Sequence, residues 1–64
     1  MRLVTGEIVE IRVDGWTSLA KARVGGACTR VPLYFVPEAR VGDHILIESG
    51  VAIAIVGNES QEEP

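Results

Sequence analysis

Apolar and polar residues alternate along the first part of the chain. Val9, Ile11 and Val13 share one parity, whereas charged residues occupy the positions between them. A period of two is typical of a strand with one face buried and one face in water. The pattern therefore predicts a half-buried strand over residues 3–13.

A hairpin turn follows this strand. The dipeptide Asp14-Gly15 is a two-residue turn signal, because both central positions of a type I′ turn need a positive φ. A turn centred there sets Ile11 opposite Ser18 and Val9 opposite Ala20. These four residues are then expected on one inner face of the sheet.

A second turn signal, Gly25-Gly26, separates a predicted strand over residues 17–24 from another over residues 27–33. Pairing across this turn places Ala20 opposite Val31 and Ala22 opposite Thr29, and these four residues face the same side. Two independent turns thus agree on one inner face, which favours a single antiparallel sheet.

The second half of the chain predicts two more strands after an irregular stretch. Pro32 and Pro37 bracket residues 33–36, and proline disfavours a central strand. Strands are expected over residues 44–48 and 51–56, separated by a serine-glycine turn. The predicted fold is all-β: a small five-stranded OB-like barrel with a short loop or helical turn between the third and fourth strands.

The last strand carries apolar residues on both parities, although a small antiparallel barrel usually leaves one face of each strand wet. Either this strand crosses the middle of the barrel under a loop, or its outer face meets a partner. The alternation places Ile53 on the inner face and Ala52 on the outer face. On that basis we expect Ile53→Asp to disrupt folding and Ala52→Asp to weaken association.

Length and charge narrow the class of protein. The chain has 64 residues and a formal net charge of −3, which predicts one barrel domain over residues 1–57 and a flexible acidic tail over residues 58–64. Nothing in the sequence has the length of a signal peptide or a membrane span, so a cytoplasmic location and no membrane association are expected. The excess of acidic over basic residues argues against nucleic acid as a partner.

The single cysteine, Cys28, cannot form an intramolecular disulfide. The hairpin register turns it outward, opposite Arg23 and diagonal to Lys21 and Arg30. Neighbouring cations favour a thiolate, so Cys28 is a candidate reactive thiol; the alternative is a small residue on an exposed or partner-covered strand. The same three cations form a basic stripe, which either meets an acidic partner or phosphate or is a solvated face.

Catalytic chemistry is not indicated. His44 follows Asp43, but no nucleophile or second metal ligand accompanies it, and no acid-base pair or phosphate loop is visible. The sequence therefore predicts a protein that is not an enzyme and has no metal site. Among the aromatic residues, Trp16 is expected to cap the barrel, whereas Tyr34 and Phe35 are candidate anchors for a partner.

Several segments together resemble one family. They are, in chain order, residues 6–11, 21–26, 29–33, 36–47 and 50–53, with Gly-Gly, Pro-Glu-x-x-Val-Gly-Asp and Gly-x-Ala as the most specific elements. In order and spacing they are similar to the HypC/HupF (HybG) family of NiFe-hydrogenase maturation chaperones. The resemblance implies an OB-like barrel that binds an iron-handling scaffold protein and docks on a hydrogenase-type large-subunit precursor.

The sequence departs from that family in three features: the N-terminal start, a histidine near the last strand, and the C-terminal helix that often follows in the family, for which only a short acidic segment is present here. Family members carry a cysteine in a Met-Cys-Leu-x-x-Pro-Gly start that contacts the iron or the partner's cysteine, and Arg2 stands there in this chain. Many members carry a histidine two residues before the Gly-x-Ala element, and this chain has Glu48. These changes argue against the family's iron centre here, and no stably bound cofactor is expected.

The sequence thus predicts an accessory chaperone or protein-binding module for metalloenzyme assembly, without the usual cysteine iron ligand. The alternative is a structural small subunit or a homo-oligomer, and an OB module that binds nucleic acid is the least favoured class. The residues expected to bind a partner are Arg2, Tyr34, Phe35, Glu48, Val51, Ala52 and Ala54.

Overall fold

The computed structural model describes residues 3–58. They form five strands: β1 (Leu3–Asp14), β2 (Thr17–Val24), β3 (Ala27–Pro32), β4 (Asp43–Glu48) and β5 (Val51–Asn58). These residues contain no helix, so the prediction of an all-β fold is confirmed. Asn58, the first residue of the predicted tail, ends β5; the rest of that tail lies outside the described residues.

The five strands form one antiparallel sheet in the order β3-β2-β1-β4-β5. The 12-residue strand β1 is central: its first half pairs with β4 and its second half with β2. The sheet curls, so that Cα atoms of the two edge strands, β3 and β5, approach within 8 Å of each other. This barrel-like arrangement confirms the predicted architecture, although no ladder of hydrogen bonds between described residues joins β3 to β5.

The hairpin of β2 and β3 has the register that the sequence predicts. Ala20 pairs with Val31, and Ala22 pairs with Thr29. The turn begins at Gly25, whose φ of 61° lies in the left-handed region that glycine adopts without steric cost. Ala20, Ala22 and Val31 are fully buried.

The first hairpin turn is displaced by one residue from its predicted position. Asp14 pairs with Thr17, so the central residues are Gly15 and Trp16 rather than Asp14 and Gly15. Only Gly15 has a positive φ, 67°, which is the pattern of a type II′ turn with glycine first. Trp16 is fully exposed, and the prediction that it caps the barrel is wrong.

A β-bulge in β1 changes which residues face the core. Ile11 pairs with Ala20 rather than with Ser18, and the register then shifts between Ile8 and Glu10. Val9 is the extra residue, since a bulge places two residues opposite one. Ile8 is therefore fully buried, whereas Val9, which the simple alternation placed inside, is half-buried.

Two bulges in β5 overturn the predicted orientation of that strand. Ile53 and Val56 have no pairing partner on β4, because the register shifts at each of them. Ala52 is fully buried, whereas Ile53 and Val56 are 37% and 55% exposed. The expectation of Ile53 inside and Ala52 outside is wrong, since the extra residues rotate the following side chains to the other face.

Residues 33–42, between β3 and β4, form a loop that completes the core. The amide of Leu33 donates to the carbonyl oxygen of Ser18, and that of Gly42 to the carbonyl oxygen of Ile8, both at 2.9 Å. Leu33 and Val36 are buried, so the loop closes over apolar residues from the strands. Among residues 3–58, the buried core consists of Ile8, Ala20, Ala22, Val31, Leu33, Val36, Ala39, Ile45, Ile47 and Ala52, with Val4, Ile11, Val24 and Ile55 packed against it.

Candidate functional site

Two aromatic rings project from the loop of residues 33–42. Tyr34 and Phe35 are 63% and 68% exposed, while Leu33 and Val36 on either side are buried. Because Leu33 and Val36 are buried, the backbone is anchored on both sides of the two exposed rings. We call Tyr34 and Phe35 the aromatic pair. Exposed aromatic rings on a fixed backbone suit a protein interface, where tyrosine and phenylalanine are enriched.

A second surface lies at the turn between β4 and β5. Leu3 pairs with Glu48, which pairs with Val51 across the next ladder. Leu3 is 53% exposed, and the other two are half-buried. We call Leu3, Glu48 and Val51 the turn surface. Arg2, which precedes it in the chain, lies outside the described residues.

The turn itself is locally strained. Ser49 has a φ of 54°, and it is the only residue other than glycine among residues 3–58 with a positive φ. Gly50 follows with a φ of 81°, which completes the two left-handed positions of a type I′ turn. A side chain in this region costs about 1–2 kcal/mol, so the backbone beside Glu48 is held in place by the pairing of β4 with β5.

Not all of the predicted partner-binding residues reach the surface. Ala52 is fully buried and pairs with Ile47 inside the barrel, so its proposed outer position is wrong. Ala54 is half-buried opposite Leu46. A partner role for Ala54, Glu48, Val51 and the aromatic pair stays a prediction.

The structure separates the aromatic pair from the turn surface. The loop that carries the pair is bonded to Ser18, which pairs with Val13 near the end of β1. The turn surface lies at the start of β1, where Leu3 pairs with Glu48. The two surfaces therefore lie at opposite ends of the longest strand and do not form one site.

Cys28 lies on the outer face of β3 and is exposed, as the sequence predicts. It pairs with Arg23, but the guanidinium of Arg23 donates from Nη2 to Oε1 of Glu7 at 2.9 Å. The nearest cation is thus engaged with a carboxylate. A reactive role for Cys28 stays a prediction.

Asp43 has a structural role at the start of β4. It is 7% exposed, and its Oδ2 accepts a hydrogen bond of 2.8 Å from the backbone amide of Arg40. Its own amide donates to the carbonyl oxygen of Arg40 at 3.0 Å. These two bonds tie the loop to the strand that contains His44.

Candidate metal ligands do not cluster in this part of the chain. Within residues 3–58, no group of three or more histidine, cysteine, aspartate or glutamate side chains is placed to hold a metal ion. The described region also holds no helix that is long and apolar enough to cross a membrane.

Sequence reasoning missed one charged residue of the outer face. Arg12 lines an open depression together with Lys21 and Arg30. The sequence pattern had placed those two residues with Arg23 in the basic stripe, without Arg12. The period-two pattern of the first strand could have placed it there, because Arg12 has the parity of Glu10, which lines the same depression.

Comparison with known proteins agrees with the fold and with the family motifs. The model of the HupF/HypC family matches residues 4–64. A curated relative, "Hydrogenase maturation factor HypC" from Synechocystis sp., is 33% identical over 60 residues, which cover 91% of this chain and 79% of the relative. The match includes all five strands, and the chain belongs to the HupF/HypC family.

Proposed function

We propose that this chain is a hydrogenase maturation chaperone that works in the cytoplasm by binding proteins rather than by catalysis. The observation that carries the proposal is the family match over residues 4–64, supported by a relative whose name is that of a hydrogenase maturation factor. The exposed aromatic pair gives such a chaperone a protein-binding surface.

The donor groups of this chain do not fit an iron centre held by a thiolate at the N-terminal end. Arg2 stands at the position where the family's start has a cysteine, and Cys28 is the only thiol. Cys28 is the second residue of β3 and is exposed, and the described residues offer no metal-holding group. We therefore derive no step in which this chain ligates iron, and the iron group is cargo that a partner would hold.

Two partners are proposed from the family resemblance: an iron-handling scaffold protein and a hydrogenase-type large-subunit precursor. The aromatic pair and the turn surface lie at opposite ends of β1. This separation would let one chain contact both partners at once, with each contact made by a different surface. The chain then acts as an adaptor between them.

Affinity capture from the native cell tests the proposal. A tagged chain should recover a hydrogenase precursor or an iron-handling scaffold, and the recovered complex should contain iron only when the scaffold is present. An Arg2→Cys variant is the matched gain-of-function test, since it restores the soft ligand of the family's start. We expect this variant to retain at least twofold more iron on the isolated chain than the unaltered protein.

Other outcomes would contradict the proposal. Recovery of a single self-associated species without either partner would favour a structural small subunit or homo-oligomer, and co-purifying nucleic acid would favour an OB module for that ligand. Cys28→Ser provides a separate control. Loss of partner capture in Cys28→Ser, with folding unchanged, would show that this thiol replaces the missing N-terminal one.

A further inference from the structure

The outer face of β1, β2 and β3 is basic, although the chain as a whole is acidic. Four of the six basic residues lie on these strands and are exposed: Arg12, Lys21, Arg23 and Arg30. The formal charge of the chain is −3. The basic charge is therefore concentrated on one side of the barrel.

Two of these cations are engaged within the face and two are not. Arg23 pairs with Glu7 at 2.9 Å, and Lys21 lies 3.9 Å from Glu10. Arg12 and Arg30 make no salt bridge with any residue in the described range of 3–58, and Asp14 nearby joins neither of them. Their charges remain available to a ligand.

Arg12 and Arg30 flank one open groove. Two adjoining depressions, of about 190 and 360 Å³, share Arg12, Leu19 and Arg30 in their walls. Arg12 pairs with Leu19 on β2, and Arg30 lies on β3, so the two arginines are two strands apart. Leu19 pairs with Pro32, so Arg30 is also offset by two residues along β3. With strands about 4.8 Å apart and a rise of about 3.4 Å per residue, the backbones of the two arginines are separated by about 12 Å.

Apolar surface borders the same groove. Leu19 lines the groove and pairs with Pro32, and both are half-buried. Val13, which also lines it, is 76% exposed. Trp16, in the hairpin turn that follows β1, is 103% exposed. Tryptophan and arginine are the residue types that most often dominate binding energy at protein interfaces. The groove thus combines free cations with apolar contact area.

We propose that this groove binds an extended segment of a partner protein that carries two carboxylates two residues apart and apolar side chains further along the same face. Alternate residues of an extended chain lie about 7 Å apart on one face, a spacing that the flexible arginine side chains can span. Each guanidinium can take a carboxylate with two parallel hydrogen bonds. The apolar side chains of the segment then lie on Leu19 and the hairpin tip.

A nucleic acid fits the same face less well. Glu7, Glu10 and Asp14 are interspersed with the cations, and a continuous phosphate backbone would pass close to them. Trp16 is the only tryptophan and the only aromatic residue on these three strands and their turns, so no platform for successive bases exists there. The proposal rests on this face alone and does not depend on the chaperone role.

Tryptophan fluorescence tests the proposal on the full chain. The probe is an acetylated hexapeptide with glutamate at its first and third positions, leucine at its fifth and serine at the others, titrated at 50 mM NaCl; in an extended chain the glutamates and the leucine share one face. Because Trp16 is the single tryptophan and fully exposed, binding at the groove should shift its emission to the blue. We expect the double variant Arg12→Glu/Arg30→Glu to weaken binding at least tenfold, and 500 mM NaCl to weaken it similarly.

Matched controls make the outcome decisive. Arg40→Glu makes the same charge change on the loop, and it should leave binding within twofold of the unaltered chain. A hexapeptide with glutamine in place of glutamate should bind at least tenfold more weakly. Circular dichroism must show that each variant is folded; if Arg12→Glu/Arg30→Glu unfolds, the Arg12→Gln/Arg30→Gln pair replaces it, with an expected loss of at least fivefold.

Three results would overturn the proposal. Equal weakening by Arg40→Glu would show a general charge effect. Tighter binding of a twelve-nucleotide thymidine strand than of the acidic peptide would assign the face to nucleic acid. Binding of a peptide of residues 58–64, without binding of the acidic hexapeptide, would assign the groove to the chain's own acidic segment.

Discussion

Gly6, on β1, lies at a crowded point of the barrel interior. A Cβ added there would lie 2.8 Å from Cγ2 of Val24, 3.2 Å from Cδ1 of Ile47 and 3.3 Å from the Cβ of Ala22. Valine is stiff at χ1, and the alanine Cβ moves only with its backbone. Glycine at this position lets β1 pass close to both neighbouring strands.

We predict that Gly6→Ala destabilises the protein by about 1–3 kcal/mol, the usual cost of overpacking a filled core. Urea unfolding followed by circular dichroism measures the change. Gly57→Ala is the matched control, because a Cβ there meets nothing within 4 Å, and its free energy of unfolding should change by less than about 0.5 kcal/mol. Equal effects of the two substitutions would contradict the close approach at Gly6.

Charged residues on the outer face contribute less to stability than to recognition. The Arg23–Glu7 pair has a short distance of 2.9 Å, but its side chains are 54% and 26% exposed. An ion pair that is open to water is worth about 0.2–1 kcal/mol. The same exposure leaves the neighbouring guanidinium groups free to exchange partners.

At the scale of the element, β5 shows how bulges change the meaning of a hydrophobic pattern. Its apolar residues on both parities do not indicate two buried faces, because Ile53 and Val56 are extra residues without partners on β4. Bulges are common at sheet edges, where they bend the strand and interrupt its pairing surface. The strand thus exposes these two residues while Ala52 fills the core.

This geometry reverses the expectation drawn from the alternation. We predict that Ala52→Asp unfolds the protein, because an unpaired buried charge costs about 3–5 kcal/mol, which matches the whole stability expected of so small a domain. Ile53→Asp should leave the protein folded, since that side chain is 37% exposed. Thermal unfolding of the two variants distinguishes them, and an unfolded Ile53→Asp beside a folded Ala52→Asp would refute the assigned orientation.

At the scale of the whole molecule, the described residues carry more than one candidate binding surface. The aromatic pair and the turn surface lie towards opposite ends of β1, and the groove of Arg12 and Arg30 lies on the outer face of β1, β2 and β3. A small β-barrel can therefore offer separate contacts to more than one protein. Such an arrangement suits an assembly factor, whose partners must be brought together and then released.

We predict that the double variant Tyr34→Ser/Phe35→Ser weakens capture of one maturation partner by at least about 30-fold, the equivalent of a 2 kcal/mol hot spot. The fold should be unaffected, because both rings are more than half exposed. Quantitative pull-down with purified partner measures the loss. Val56→Ser is the control, since Val56 is 55% exposed on β5; a similar loss in that variant would argue against a specific role for the aromatic pair.

Local sequence preferences were sufficient to predict a large part of the fold. The five strands follow from alternation and turn residues, and the register of β2 with β3 follows from Gly25, because a two-residue turn fixes which residues pair across it. The family motifs, the outward position of Cys28 and the exposure of Tyr34 and Phe35 beside two prolines could likewise be read along the chain.

Other features were decided only by tertiary structure. The bulges at Val9, Ile53 and Val56 reverse the face of the residues beyond them, and they arise because β1 and β5 must bend to close around a small core. Arg12 and Arg30 flank one groove only because β1, β2 and β3 lie side by side. The sequence by itself determined, to within about one residue, where strands begin and turn, since those choices depend on local backbone preferences. Which side chains face the core, and which surfaces lie together, depended on packing between residues distant in the chain.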